Sequence, residues 1–306
     1  MKQHKILGIY RVPNKGKSSI LKEWVLLFRP AQQLKQVFVF APGIYAVNSI
    51  NLATILNLVA AAIFFGLIST VVYCQNDLYD VKKNIKFPEI MDRPILRRIF
   101  SDKTIRFTQL LLLILSSFII PIIENWEMIF LLGGLYLSIN LLYTYFNLKK
   151  FELLGLICVV SGYPIRFQIG ILTLGQPLSI WGLCIVTLLA TSLFFGKKTR
   201  RAMNLNNQKA ILDLRLSLYS SLTLTTCAYL IFSSSSDLTE NWNQNFVMVS
   251  TLPFFLSLLR YAKMASSNET TGLLKLDIND NLIRDEQLIA LATIWFAIMI
   301  CARLMN

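Results

Sequence analysis

Between Asn76 and Asn84 the chain reads NDLYDVKKN, a polar stretch with two carboxylates three residues apart. If the helix before it continues, Asp77, Asp80 and Asn84 fall at i, i+3 and i+7 and share one face. The oxygens on such a face suit a hard divalent ion such as Mg²⁺, itself bridging to a phosphate. Leu52 to Tyr73, immediately upstream, is an apolar run long enough to cross a bilayer. Two carboxylates so close to a membrane edge are costly unless something cationic neutralises them. The competing reading is an Asx-rich helix terminus in a solvated juxtamembrane loop, and spacing alone leaves the two level.

Basic residues extend the phosphate chemistry. Lys86, Arg93, Arg97 and Arg98 follow the carboxylates, Lys149 and Lys150 come later, and Arg166 stands inside an apolar run after Tyr163 and Pro164. The densest cluster is GKKTRR, Gly196 to Arg201, with Lys209, Asp213 and Arg215 within about four helical turns. Arginine forks and lysine point charges together form a cradle for phosphates. Ordinary enrichment of Lys and Arg in cytoplasmic loops explains any one basic cluster singly. It does not explain the carboxylates, nor an arginine in an apolar span, which usually faces a cavity or a partner.

The elements that must position these groups are transmembrane helices. Of 306 residues 55% are hydrophobic and 15% charged, and the mean hydropathy is +0.55. That describes a polytopic membrane protein, not a soluble domain. The net charge of +13 reflects cytoplasmic loops and anionic lipid headgroups rather than a nucleic-acid partner. Cys74, Cys158, Cys184, Cys227 and Cys301 are scattered singly, with no CxxC pair, so neither a zinc site nor a disulfide framework is indicated. The one histidine, His4, lies in the N-terminal tail, which argues against chemistry that needs a histidine base.

Apolar spans fall at about 37–47, 52–75, 107–123, 128–146, 152–174, 178–196, 216–233, 246–262 and 287–302, nine in all, the first short and broken by Pro42. The connections 76–106, 147–151, 197–215 and 263–286 are rich in Lys and Arg, whereas those near 124–127 and 234–245 carry acidic residues and no basic one. This alternation predicts a cytoplasmic N-terminus, nine crossings and every basic connection on the cytoplasmic side. Residues 1–36 read as a basic cytoplasmic arm and 37–306 as one helical membrane domain with no cleavable leader. The expected fold is all-α, a nine-helix bundle around a central cavity that opens to the cytoplasm and to lipid.

The motifs resemble the UbiA superfamily of intramembrane prenyltransferases, and within it the decaprenyl-phosphate phosphoribosyltransferase branch. RPAQQLKQVFVFAP (29–42) is similar to that branch's R-P-x-Q-W-x-K-N-x-x-V-F-A-P opening, and NDLYDVKKNIKFPEIMDRPI (76–95) to its aspartate-rich segment. Arg166 to Gly170 fits its R-x-x-x-G stretch, GKKTRR its G-K-R motif, and RYAKM (260–264) and RDEQL (284–288), with Trp295 beyond, its C-terminal signatures. There are departures. Asn84 replaces the motif's third aspartate and weakens the metal site by one charge. Phe87 replaces a histidine, Gln33 and Gln36 replace a tryptophan and an asparagine, and Gly155 stands where an aspartate is frequent. No acidic residue follows Arg201 closely.

The resemblance implies a Mg²⁺-dependent transfer of 5-phosphoribose from phosphoribosyl diphosphate to a polyprenyl phosphate, with release of pyrophosphate. Asp77 and Asp80, assisted by Asn76 and Asn84, would hold the metal. Arg93, Lys149, Lys197, Lys198 and Arg201 would bind phosphates, and Lys35 and Arg166 would meet the acceptor phosphate or the donor 5-phosphate. Two alternatives stay open. One is a prenyltransferase of the same superfamily, using a prenyl diphosphate and an aromatic or lipid acceptor. The other is a non-catalytic membrane protein that binds lipid phosphates.

Overall fold

The computed structural model describes residues 19–44, 51–83, 93–205, 207–235, 242–266 and 285–305. Every regular element among them is helical. In chain order these are α1 (Ile20–Leu27), α2 (Pro30–Gln33), α3 (Val37–Phe40), α4 (Leu52–Lys82), α5 (Asp102–Ile119), α6 (Trp126–Tyr145), α7 (Glu152–Val160), α8 (Gly162–Thr173), α9 (Ile180–Asn204), α10 (Gln208–Ser234), α11 (Gln244–Ser266) and α12 (Glu286–Leu304).

Eight helical spans are long and apolar enough to cross a membrane: α4, α5, α6, α7 with α8, and α9 to α12. Their outer faces carry large exposed apolar side chains such as Phe118, Ile180, Leu224 and Leu252, the surface that hydrocarbon rather than water covers. The protein is an integral multi-pass membrane protein.

The first of the nine expected spans differs from the rest. The part of 37–47 within the described residues is α3 and a 3₁₀ turn. Pro42 has no N–H to give to the carbonyl four residues back, so the α-helical ladder does not run through it. Instead, α2, a 3₁₀ turn at Leu34–Gln36 and α3 form one bent stretch that packs on α4 and α8.

Helix α4 is the centre of the first half. Asn51 caps it by accepting from the Thr54 N–H. Its 31 residues exceed what a bilayer needs, so the last two turns carry Asn76, Asp77 and Asp80 on one continuous helix. Ala61, Phe65, Ile68 and Val72 along α4 pack against Ile129 and Tyr136 of α6 and Ile165 and Ile169 of α8. The α7–α8 span is broken at Ser161, because Pro164 has no N–H for the Val160 carbonyl.

In the second half α9 packs mainly against α10, and α11 against α12. Helix α9 continues past its apolar part through Lys197–Arg201 to Asn204, and α10 begins at Gln208. The basic segment expected as a connection over 197–215 is therefore helical over 197–204 and 208–215. KKTRRAM contains no Gly or Pro to stop it, and cations at a helix C-terminus complement the helix dipole.

The N-terminal arm expected over 1–36 is likewise part of the bundle from Ile20 onward. Leu27 is buried with Leu78, Ile95 and Ile105, Trp24 meets Phe100 at 4.4 Å between ring centroids, and buried Glu23 pairs with Arg97. Residues 1–18, with His4, lie outside the described residues.

Candidate functional site

Chain direction and contacts bring the polar groups to one end of the bundle. The C-terminal ends of α4, α6, α9 and α11 meet there with the starts of α7 and α12, through Asn76 to Thr144, Lys198 to Glu152, Arg200 to the Met264 carbonyl and Arg260 to Asp285.

Asp77 is enclosed, with its side chain 5% exposed. Two guanidinium groups share its Oδ1: Arg29 Nη2 at 2.5 Å and Arg93 Nη1 at 2.8 Å. Arg29 reaches it from the left-handed residue between α1 and α2, and lies over the Tyr73 ring at 4.8 Å. Arg93 enters from the connection to α5. Burial, and then the like charge of Arg29, lowers the Arg93 guanidinium below the usual arginine value, against the pull of Asp77 and Asp80. Beside this pair, the Thr144 hydroxyl donates to Asn76 Oδ1.

A second polar web lies deeper. Arg166 is 2% exposed, the largest fully buried side chain. Its Nε donates to Gln36 Oε1 at 3.3 Å, Nη1 to the Gly162 carbonyl at 2.5 Å and Nη2 to Ser69 Oγ at 3.0 Å. Its guanidinium also lies 4.7 Å from the Phe65 ring centroid and 5.4 Å from that of Tyr136. The expected phosphate ligand is thus engaged by the protein on all three nitrogens. It ties α8 to α4 and to the bent N-terminal stretch. One turn on, Gly170 lets α8 press on α3: a Cβ there would lie 2.1 Å from the Val39 carbonyl oxygen. The R-x-x-x-G spacing has this physical content. Lys35 sits half-buried beside the web, its Nζ 5.4 Å from the Tyr163 ring centroid.

The cationic end of α9 forms the other flank. Lys197 is exposed, and Lys198 lies over Phe194 at 4.9 Å with Glu152 at 3.6 Å. Gly196 lets α9 close on α11, since a Cβ there would meet the Tyr261 hydroxyl at 2.1 Å. The backbone of Lys149 is in a 3₁₀ turn at this end. Asn84 lies outside the described residues, as do Lys86 and Phe87.

The sequence reading missed Arg29, Gln33 and Gln36 as site residues. Gln33 Nε2 donates to Thr70 Oγ1 at 3.0 Å, and Gln36 Nε2 to Gln33 Oε1 at 3.1 Å. A signal was present: Arg29, Gln33 and Gln36 recur at i, i+4 and i+7, one helical face. The two glutamines that depart from the branch's opening motif are the residues that carry the bonds from Arg29's neighbourhood to Arg166.

The donor set fits a hard divalent ion. Both arginines approach Asp77 at Oδ1. Asp80 follows one turn later, with Asn76 adjacent. Nowhere among the described residues do three or more His, Cys, Asp or Glu side chains converge. A Mg²⁺ held here would therefore complete its shell with substrate phosphate oxygens and water, as this ion usually does.

The model of the UbiA prenyltransferase family matches residues 37–274. The chain belongs to that family. It is a membrane-embedded transferase, similar to the decaprenyl-phosphate phosphoribosyltransferase of Mycobacterium tuberculosis strain H37Rv, 26% identical over 287 residues that cover 89% of this chain and 91% of the relative. The enzyme of the same name from Corynebacterium glutamicum is 25% identical over 289 residues, 89% and 84% of the two chains. The fold is that of the UbiA homologue from Archaeoglobus fulgidus solved with DMAPP and Mg²⁺, at a TM-score of 0.60 and 16% identity over 90% of this chain and 99% of that one. The same homologue with GPP and Mg²⁺ gives 0.59 at 15% identity, with 90% and 99% covered.

Proposed function

We propose that the protein transfers 5-phosphoribose from phosphoribosyl diphosphate to a polyprenyl phosphate, with Mg²⁺ at Asp77 and Asp80. The observation that carries this reading is the pair of cationic flanks around one carboxylate centre. Arg29 and Arg93 lie on Asp77, Lys35 lies in the deeper web, and the Lys197–Arg201 end of α9 comes to the same end of the bundle through Lys198 and Glu152. A ribosyl donor bears phosphate at both ends of the sugar and needs cations on two sides. The mycobacterial and corynebacterial relatives carry the name of this activity.

In the reaction an oxygen of the lipid phosphate bonds to C1 of the ribose. The bond from C1 to the diphosphate oxygen breaks, and pyrophosphate leaves with the electron pair. Mg²⁺ supplies charge neutralisation on the leaving diphosphate. Asp77 and Asp80, with Asn76 and Asn84, hold the metal. Arg93, Lys149, Lys197, Lys198 and Arg201 bind phosphate oxygens and stabilise the negative charge as it develops. Lys35 meets the lipid phosphate, and Arg166 is a positioning residue that fixes the bent stretch carrying Lys35. The attacking oxygen is already ionised, so no protein base is required. The basic residues gathered at the site end favour a cytoplasmic orientation for it, with the acceptor held by the membrane.

A prenyl diphosphate donor is the second reading, favoured by the ligand of the Archaeoglobus homologue and by an apolar groove of about 350 Å³ between the N-terminal stretch and α4, lined by Phe28, Phe40, Val59 and Ile63. The two are separated by one assay. Purified protein with Mg²⁺ and decaprenyl or undecaprenyl phosphate receives phosphoribosyl diphosphate or a prenyl diphosphate. Release of pyrophosphate with formation of a polyprenyl-phosphoryl-phosphoribose supports the proposal. Turnover of the prenyl diphosphate alone overturns it.

A further inference from the structure

Asp77 cannot offer its charge to a metal in the arrangement described. Two guanidinium groups stand within 3 Å of one carboxylate oxygen, at 2.5 and 2.8 Å, with side-chain exposures of only 14% and 28%. Arg93 answers also to Asp80. The local sum around Asp77 is therefore positive, and a divalent cation arriving alone meets two like charges in a poorly hydrated site. A diphosphate reverses that sum. Its oxygens are better partners for arginine forks than one shared carboxylate oxygen is, and they complete the shell of Mg²⁺.

We propose that Arg29 and Arg93 are resident counter-cations of Asp77 that exchange partners on binding. Mg²⁺ and diphosphate enter as a unit, the carboxylate passes from the arginines to the metal, and the arginines pass to the diphosphate oxygens. This rests on the placement of the metal at Asp77 proposed above. Arg29 has the freedom to do so: among the described residues it holds, besides Asp77, only the Tyr73 carbonyl at 3.4 Å and the Tyr73 ring face. It sits at a chain reversal between two short helices, at φ 50°, so its movement does not require a transmembrane helix to shift. The arrangement guards an empty site against metal without substrate. It also makes each ligand raise the affinity of the other by the same factor.

The test uses the full chain in detergent or nanodiscs and reads binding, not turnover. Mn²⁺ binding is followed by electron paramagnetic resonance without an anion, and labelled inorganic pyrophosphate binding is followed with and without Mg²⁺. Wild type is expected to bind Mn²⁺ weakly alone and to bind pyrophosphate about tenfold or more tighter with Mg²⁺. Arg29→Gln and Arg93→Gln are expected to bind Mn²⁺ alone about tenfold tighter than wild type while losing most of their pyrophosphate affinity. Arg29→Lys keeps the charge and should stay near wild type, which separates loss of charge from loss of fold. Unchanged Mn²⁺ affinity in both glutamine variants, with Asp77→Asn still abolishing binding, would overturn the exchange and leave the metal assignment standing. Mn²⁺ binding that survives Asp77→Asn would overturn the metal assignment, and the exchange with it.

Discussion

The two halves of the bundle use arginine for opposite purposes. Around α4 the guanidinium groups converge on side chains: Arg29 and Arg93 on Asp77, Arg97 on Glu23, and Arg166 on Gln36 and Ser69. Around α10 and α11 they close helix ends. Arg200 Nη1 donates to the Met264 carbonyl and Arg215 Nη2 to the Ser266 carbonyl, each at about 2.9 Å or less, satisfying the last carbonyls of α11 that have no partner within the helix. At Arg200 and Arg215, charge beside a helix end is thus structural. In the first half charge is concentrated on one buried carboxylate, where a small change of ligand alters every neighbour. A basic residue type by itself says nothing of which role it has; the partner does.

The comparison breaks first at the carboxylates. Asp77→Ala and Asp80→Ala should each lower turnover at least about a thousandfold, ~4 kcal/mol of lost charge stabilisation. Both proteins should still fold and insert. Arg215→Ala should do the reverse, lowering the unfolding midpoint in detergent while the rate of the folded fraction holds. Steady-state rates beside thermal unfolding decide it, and near-normal turnover in either aspartate variant would refute the site.

Arg166→Ala comes next and acts through stability. Removing a buried guanidinium that three neutral acceptors share leaves those acceptors unpaired and should cost about 1–3 kcal/mol or more, seen as a lowered unfolding midpoint. Any loss of lipid-phosphate affinity should follow from disorder of the stretch carrying Lys35. An Arg166→Ala protein as stable as wild type but with a raised KM for the lipid phosphate would return Arg166 to direct contact with substrate.

Much of this was legible in the sequence, for physical reasons. Hydrocarbon demands about 20 apolar residues per helical crossing and tolerates no unpaired backbone polar group, so α4 to α12 stand out as runs and the polar remnants stand out against them. Asp77 and Asp80 were visible because the helix of α4 simply continues. Other features follow tertiary context. The span at 37–47 is neither long nor unbroken, and Arg29, Gln33 and Gln36 matter only once Thr70 and Arg166 arrive from spans far along the chain. Buried Glu23 read as one more polar residue in a basic arm, because nothing local says that Arg97 will cover it.

The α9 flank sharpens the comparison, since Arg200 and Arg201 are neighbours with different partners. Arg201→Ala or Lys198→Ala should raise the KM for phosphoribosyl diphosphate roughly ten- to a hundredfold, the worth of one charge-assisted contact at about 1.5–3 kcal/mol. The lipid phosphate should respond less. Arg200→Ala, which loses a helix-capping bond, should leave both KM values near wild type. A two-substrate titration of each variant tests this, and a loss confined to lipid affinity would swap the roles of the two flanks.

The smallest effect belongs to the pair that starts α12. Arg260 grips Asp285 with three contacts of 2.6 to 3.1 Å, and Asp285 also caps the helix by accepting from the Leu288 N–H at 2.8 Å. Hydrogen bonding from Arg260 holds the Asp285 carboxyl below its ordinary value, with the Leu288 N–H adding to it against partial burial. A carboxyl depressed in the folded state contributes stability above its unfolded pKa of about 3.9, and loses it as pH falls through the lower folded value. Because Arg260 is 30% exposed, screening keeps the contribution small, about 1 kcal/mol. Asp285→Asn should therefore unfold slightly earlier than wild type at neutral pH, and the gap should close as the pH is taken below about 4. Turnover at neutral pH should hold. A gap that persists in acid would mean that the ion pair's charge is not the stabilising element.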